Sequence, residues 1–355
     1  MRFYKNQHQF YAGIDLHARQ MYICIIDSDG SILFHKNMDA DPAHLMRAIE
    51  PYQDDIIIGV ECVFTWYWIA DFCEDNDIPF ILGHALYMKA IHGGKTKNDK
   101  IDSSKIASMI RGGMFPMAYV YPRKMRSVRD LLRRRQYFVH HQSELLAHIQ
   151  NTNTQYNLPV FEKKIAHQSN RTQINNRFKD NPFAQFSVDA DSQLLDFYHR
   201  ILLDIEQKIR KHAVHHDPYT YQLLRSVPGI GPILSLVILY EIQDIQRFPG
   251  VGNFISYCRL VKCPHESAGK RVKGGHNKIG NSHLKWAFSE AAVLFLRNNL
   301  AGKKLQQRLV SRYGKAKALS LIAQKLGRTV FYMLKRKEPF SPESFYKDSV
   351  HAPVI

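Results

Sequence analysis

The first third of the chain is built of short apolar runs, and the rest of longer stretches in which apolar residues recur at helical spacing. Residues 10–16 and 21–27 are short and rich in aromatic or β-branched side chains, which predicts strands. Ser28-Asp29-Gly30 is turn chemistry, so the second strand is expected to pair with 32–36 in a hairpin. A helix over 42–50, a core strand over 55–61, a helix over 65–76, a strand over 79–84 and a helix over 100–111 follow. Three early strands and then alternating helix and strand predict a mixed sheet with helices packed on it.

That order is compatible with a ribonuclease-H-like fold. Beyond it the period changes. Residues 124–156 carry Leu131, Leu132, Val139, Leu145, Leu146 and Ile149 at helical spacings, beside Arg129, Arg133, Arg134 and Arg135, which predicts one long amphipathic helix. Residues 157–187 are polar and Asn-rich, with Pro159 and Pro182, and are expected to be a loop or short helices. Helical spacing resumes over 192–216 through Leu194, Leu195, Phe197, Ile201, Leu202, Ile205 and Ile209. Two long helices joined by a loop make an antiparallel hairpin or an oligomerising coiled coil. A helical third part begins at Pro218, with helices expected over 280–298, 303–313 and 315–335. The expected class is α/β plus α in three domains: a mixed-sheet domain over 1–122, a helical coiled-coil region over 123–217 and a mainly helical domain over 218–355.

Charge narrows the choice of partner. The 355 residues hold 49 Lys and Arg against 32 Asp and Glu, a net +17, which points to a polyanion. Nucleic acid fits better than a membrane, because no stretch approaches the ~20 uninterrupted apolar residues of a spanning helix. The opening MRFYKNQHQF has no apolar core of a signal peptide, and five scattered Cys make no disulfide framework, so a reducing cytoplasm is the expected location. The charge is divided unevenly. Residues 1–94 hold 6 Lys and Arg against 13 Asp and Glu, a net −7, so the remainder carries +24.

Four carboxylates in or beside the acidic part are out of place. Asp15 lies inside a strand pattern, where Asp is depleted. Glu61 is the single charge within residues 56–70, and burying a lone carboxylate is costly unless it is paired, protonated or bound to metal. Asp99 and Asp102 are three apart, so one helical face presents both. Two carboxylates on strands and a pair opening a helix suit Mg²⁺ (or Mn²⁺), and two ions about 4 Å apart can stabilise attacking and leaving oxygens. Each residue also has a plainer reading: Asp99 as a helix N-cap, Asp15 as the end of a strand in a turn, Glu61 paired with an Arg. Gly13-Ile14-Asp15 resembles the phosphate loop of actin-like sugar kinases, but Leu16-His17-Ala18 follows where that loop needs Gly and Ser or Thr, and no second Gly-rich loop is found.

The basic part has motifs of its own. Pro228-Gly229-Ile230-Gly231 between two apolar helical stretches resembles a helix-hairpin-helix turn, in which Gly229 and Gly231 let the backbone approach a phosphate; a plain helix–helix turn is the alternative. From Arg259 to Lys285 there are seven Lys and Arg and one acid, Glu266. Ser267 sits among them in a basic, Gly-containing loop, where Lys270, Arg271, Lys273 and Lys278 could stabilise charge on a phosphodiester under attack. Cys258, Cys263, His265, His276 and His283 invite a zinc reading, but their spacings match no standard finger. From Arg297 to Lys337 there are twelve Lys and Arg and no acid, with Tyr313, Phe331 and Tyr332 interleaved. A solvated face mixes both signs, so phosphate contact is the preferred reading there, and Arg133 and Arg134 are further candidates.

Together these motifs resemble the DEDD-type insertion-sequence transposases, the group that includes the pilin-gene invertases, over nearly the whole chain. The family's first Asp matches Asp15 in Gly-Ile-Asp, its Glu matches Glu61, and its paired aspartates match Asp99 and Asp102 in Lys97-Asn98-Asp99-Lys100-Ile101-Asp102. The C-terminal half matches at Pro228-Gly229-Ile230-Gly231, Arg247-Phe248, Tyr257-Cys258-Arg259-Leu260-Val261, at the serine in Glu266-Ser267, and at Lys278-Ile279-Gly280-Asn281. Two departures are local: Ala268-Gly269-Lys270-Arg271 follows the serine, where small polar residues are common, and Cys258-Arg259-Leu260-Val261-Lys262-Cys263-Pro264 stands for Ala-Gly-Leu-x-Pro. The resemblance implies a RuvC-like N-terminal domain, a coiled-coil middle and a C-terminal transposase domain. It implies Mg²⁺ held by the four carboxylates and a covalent link between Ser267 and DNA. It also implies dimers and tetramers in which one protomer's carboxylates complete the site around another's serine. Some members use an element-encoded guide RNA, and the basic surplus suits DNA alone or RNA with DNA. Two other functions fit the same residues: a metal-dependent junction nuclease that uses water, and a non-catalytic helix-hairpin-helix DNA-binding protein.

Overall fold

The computed structural model describes residues 2–92, 98–261, 265–267, 270–272 and 279–347; of 92, 265–267 and 270–272 it describes the backbone only. The chain forms two compact units, Met1–Arg123 and Lys124–Ile355. The regions expected over 123–217 and 218–355 thus share one unit, apart from Arg123.

The first unit runs β1 (Phe10–Leu16), β2 (Gln20–Asp27), β3 (Ile32–Asp39), α1 (Pro42–Ile49), β4 (Ile56–Glu61), α2 (Tyr67–Asp75), β5 (Phe80–Gly83), α3 (Ala85–His92) and α4 (Asp99–Arg111). The sheet order is β3-β2-β1-β4-β5. β1 is antiparallel to β2 and parallel to β4, and β4 is parallel to β5. The expected hairpin forms because the Asp27 carboxylate accepts from Asp29 N and Ser31 N while Gly30 turns at φ +91°. α3 was not expected from the pattern.

The two faces of the sheet have separate cores. Ala12, Ile14 and Leu16 of β1 and Ile56, Ile58 and Val60 of β4 pack with Leu45 and Ile49 of α1 and Ile69, Phe72 and Cys73 of α2. Tyr11 and Ile57, on the opposite face, pack with Ile106, Ala107 and Ile110 of α4. β4 is covered on both sides, which explains its unbroken apolar run.

The second unit begins with α5 (Arg123–Gln155) and α6 (Pro182–His216), which share a small core of Ile149, Ile165, Ile174, Phe178, Val188 and Leu195. The expectation of a loop or short helices as far as residue 187 is corrected at its C-terminal end. α6 starts at Pro182, where the missing N–H leaves nothing unsatisfied, and Asn181 caps it by accepting from Ala184 N. The segment between the helices holds a 3₁₀ stretch, Gln168–Ile174. There follow α7 (Pro218–Arg225), α8 (Pro232–Ile242), α9 (Val251–Tyr257), a two-stranded antiparallel ribbon of β6 (His265–Ser267) and β7 (Lys270–Val272), then α10 (Ser282–Phe295), α11 (Leu300–Tyr313), α12 (Lys315–Arg336) and α13 (Pro342–Lys347). α8 is buried from Leu234 to Ile242 and lies at the centre of the core. That core also takes in Met125 and Leu132 of α5 and Ile205, Ile209 and Ala213 of α6. Among the described residues, no helix is long and apolar enough to cross a membrane, and Cys24, Cys62, Cys73 and Cys258 are free thiols.

Candidate active site

Two glycines side by side allow the carboxylate site of the first unit to form. Gly13 of β1 is in register with Gly59 of β4. A Cβ on Gly13 would collide with the α4 backbone at Ala107 N and Ser103 O, and one on Gly59 with the tip of Ile110. α4 therefore rests directly on the sheet. Ile14 pairs with Val60, so the next residues of the two strands, Asp15 and Glu61, come out together on the α4 face. Ser103 lies over Gly13, and one helical turn earlier Asp99 reaches the level of Asp15.

Asp99 is not the N-cap. Asn98 caps α4 by accepting from Lys100 N, which leaves the Asp99 carboxylate to point elsewhere. β1 continues through Asp15, which pairs with Tyr22, so Asp15 does not end the strand in a turn. His17 Nε2 lies 3.7 Å from Asp15 Oδ2 and 3.5 Å from Asp99 Oδ2. Ligand atoms of Asp15, His17 and Asp99 all fall within 4.8 Å of one another. The side chains are 20%, 56% and 60% exposed, so this cluster forms a rim open to solvent. Asp102, next to Ser103 on α4, pairs with Lys105 at 3.4 Å. Sequence reasoning missed His17, which lies one residue past β1 and which no sequence pattern marks. A second group, Asp39, Asp41 and His44, is accounted for by helix capping, since Asp41 accepts from His44 N.

The serine is on a strand rather than in an irregular loop. Ser267 ends β6 opposite Lys270, and Glu266 lies opposite Arg271. Lys273 and Lys278 lie outside the described residues, as do Cys263 and His276. Gly229 turns at φ +89° against the backbone of Ala291 and Phe295, a place no side chain could share. Gly231 precedes α8 with open space around its Cα.

A family model described as "Transposase IS116/IS110/IS902 family" matches residues 221–307, and another described as "Transposase", of the DEDD type, matches residues 12–158. The first contains the glycine turn and Ser267; the second contains Asp15, Glu61, Asp99 and Asp102. The transposase for insertion sequence element IS1111A of Coxiella burnetii is 22% identical over 342 residues, which cover 92% of this chain and 90% of that protein. The chain belongs to the DEDD-type insertion-sequence transposases. A DEDD set implies a divalent metal ion, and the donors of this transposase fit one: oxygens from a strand and a helix converge within reach of a single ion.

The second unit of the transposase holds a buried ionic node that the sequence did not reveal. Glu241, 3% exposed, accepts from Arg133 Nε at 2.7 Å, Arg129 Nε at 2.9 Å and Asn281 Nδ2 at 2.8 Å. Burial alone would raise the pKa of its carboxyl, but Arg133, Arg129 and Asn281 outweigh burial and bring it down to about 2. Asn281 also caps α10 by accepting from Leu284 N. Arg133, a candidate phosphate contact, is therefore engaged inside the unit, while Arg134 is exposed and lies over Tyr137 and Phe138. The sequence signal for the node was an acid in an apolar run with two arginines four apart elsewhere. At the junction of α11 and α12, Arg312 and Lys317 both stand over the Tyr313 ring, at 5.3 and 4.8 Å. The zinc reading gains no ground. Cys258 is buried in the core, which pushes its thiol pKa up, and His283 bonds Gln136 at 2.6 Å. Among the described residues, no metal-capable group includes either.

Proposed function

We propose that the transposase cuts and rejoins DNA through two sets of residues. Asp15, Glu61, Asp99 and Asp102 hold Mg²⁺ (or Mn²⁺) at the scissile phosphate, and Ser267 is the nucleophile. The observation that supports this most is the convergence of Asp15 and Asp99, from a strand and a helix, at the rim where Glu61 also ends. A bound ion would draw charge from the phosphate and stabilise its reacting oxygens. Asp15 and Glu61 tie the site to rigid strand ends, and the N-terminus of α4 supplies the other two acids. Ser267 Oγ forms a bond to phosphorus as the bond to the departing deoxyribose oxygen breaks. The serine proton passes to a base, and the departing oxygen gains a proton. The reverse step, with a hydroxyl of another strand as attacker, frees the serine and reseals DNA.

Lys270, Arg271, Lys273 and Lys278 serve as counter-charges for the phosphate in this reading. The turn at Gly229 and Gly231, as a helix-hairpin-helix, joins Arg134 in contacting the nucleic-acid backbone, while Arg133 is held by Glu241. The sheet order, with acids at the C-terminal ends of two parallel strands, supports a ribonuclease-H-like (RuvC-like) assignment for 1–122. Residues 123–217 act as the oligomerising region of a dimer or tetramer, which the exposed Phe183, Phe186, Leu194 and Phe197 of α6 support. The nucleic acid is double-stranded DNA, alone or with an element-encoded guide RNA, in the cytoplasm at the nucleoid.

Ser267→Ala tests the reading. With labelled DNA and Mg²⁺, the parent chain should form a covalent adduct at Ser267, and the variant should form none, fail to recombine and still bind DNA. Recombination by the variant would remove the serine step and leave the metal-dependent nuclease.

A further inference from the structure

We propose that His17 is a nitrogen ligand of the carboxylate centre and makes that centre prefer Mn²⁺ to Mg²⁺. The inference rests on the reading of Asp15 and Asp99 as metal ligands.

The placement is specific. Asp15 lies in β1 and His17 just past its end; the His17 ring reaches the start of α4 at Asp99, and the chain is held there by the bond from His17 N to Gln20 O at 2.9 Å. The partners of the His17 ring among the described residues are the two acids, Asp15 at 3.7 Å and Asp99 at 3.5 Å, both through Nε2. These separations are close to the ~3 Å between neighbouring ligands of an octahedral ion with bonds of ~2.1 Å. The ring is 56% exposed, so packing does not explain its position. A histidine kept for the core would be buried, and one kept for a helix cap would meet backbone groups; His17 does neither.

The donor set has a consequence for metal choice. Mg²⁺ is a hard ion that takes oxygen ligands and keeps its waters. Imidazole binds first-row transition ions better than it binds Mg²⁺, so two carboxylate oxygens and one nitrogen favour Mn²⁺ over Mg²⁺. A site of four carboxylates alone would carry no such bias.

The test uses the full chain without DNA and reads metal binding. Mn²⁺ is titrated and followed by its free-ion paramagnetic resonance signal, pulsed spectra report nitrogen bound to it, and Mg²⁺ is measured by competition. The parent chain should bind Mn²⁺ with a nitrogen coupling. His17→Gln should lose the coupling and about tenfold or more in Mn²⁺ affinity, while Mg²⁺ affinity changes by less than about twofold. His17→Asn should behave in the same way, and a thermal melt of each variant checks folding. Bound Mn²⁺ without nitrogen coupling in the parent chain would overturn the proposal. So would equal losses of Mn²⁺ and Mg²⁺ in both variants, since His17 would then only order the two acids. Asp15→Asn separates the two levels of the argument. It should abolish binding of both ions, and if it does not, the carboxylate reading fails whatever His17 does.

Discussion

The transposase holds carboxylates in two opposite settings. In the first unit, Asp15 and Asp99 converge on one imidazole at a rim open to solvent, and Glu61 ends beside them. In the second, Glu241 is enclosed by two guanidinium groups and an amide at 3% exposure. A carboxylate neutralised inside a core is a structural joint, because its charge is already met. Acids gathered at an exposed rim stay within reach of a cation from solvent. Enclosure, more than residue type, therefore separates the buried joint from the open cluster.

The strongest way to break this contrast is Asp15→Asn. Strand exchange should fall roughly a thousandfold, because an ion at the phosphate contributes several kcal/mol. The melting temperature should hold, since the cluster stands at an open rim and not in a core. A large loss of stability would show Asp15 to be as structural as Glu241. Glu241→Gln should do the reverse. Arg129 and Arg133 would be left against a neutral amide, and urea unfolding of the second unit should show a loss of about 3–5 kcal/mol. Divalent-metal affinity should not change; a loss below about 1 kcal/mol would put Glu241 with ordinary surface pairs.

Acid should sharpen the same contrast. The folded pKa of Glu241 lies below its unfolded value near 4.5, so its contribution is complete above about 4.5 and fades as pH falls toward 2. The loss over that window is about 3 kcal/mol. His283 faces the same node, and burial lowers its pKa from the usual 6.5, so it acts in the same direction from a higher pH. A pH titration of the melting temperature should show Glu241→Gln losing the step below 4.5. The smallest effect is expected at the α11–α12 junction. Replacing Arg312 and Lys317 with Ala should lower the slope of log affinity for DNA against log salt by about 2, one per cation removed. An unchanged slope would remove that junction from the nucleic-acid surface.

The first unit was largely legible because strands leave sharp signals. β1 was expected over 10–16, and β4 and β5 differ from expectation only at their ends. Pro182 falls in a polar, Asn-rich stretch that suits a loop or short helices, but at the first turn of α6 it is an initiator. α3 was missed because only His84 separates 85–92 from β5, with no Ser, Thr, Asp or Asn cap to mark a new helix. Asp15 and Glu61 could be singled out because charges there break an apolar or strand pattern, and Asp99 and Asp102 because their spacing sets both on one helical face. His17 could not, since a single histidine violates no pattern and its meaning lies in the packing of α4 against β1. Glu241 was hidden for a related reason. An apolar helix with one acid shows nothing of the two arginines that meet it, and those arginines lie more than a hundred residues away in sequence.

Gly13 sets how this sequence can drift. The close approach of α4 there is main chain against main chain, so most outward side chains of the helix can change without moving Asp99 or Asp102. A single methyl at Gly13 would lift the helix and carry both aspartates away from Asp15 and Glu61 at once. Tolerance is therefore wide along α4 and close to zero at one point on the strand beneath it. In the proposed reading, a mutation at that point removes the centre as a whole and not ligand by ligand.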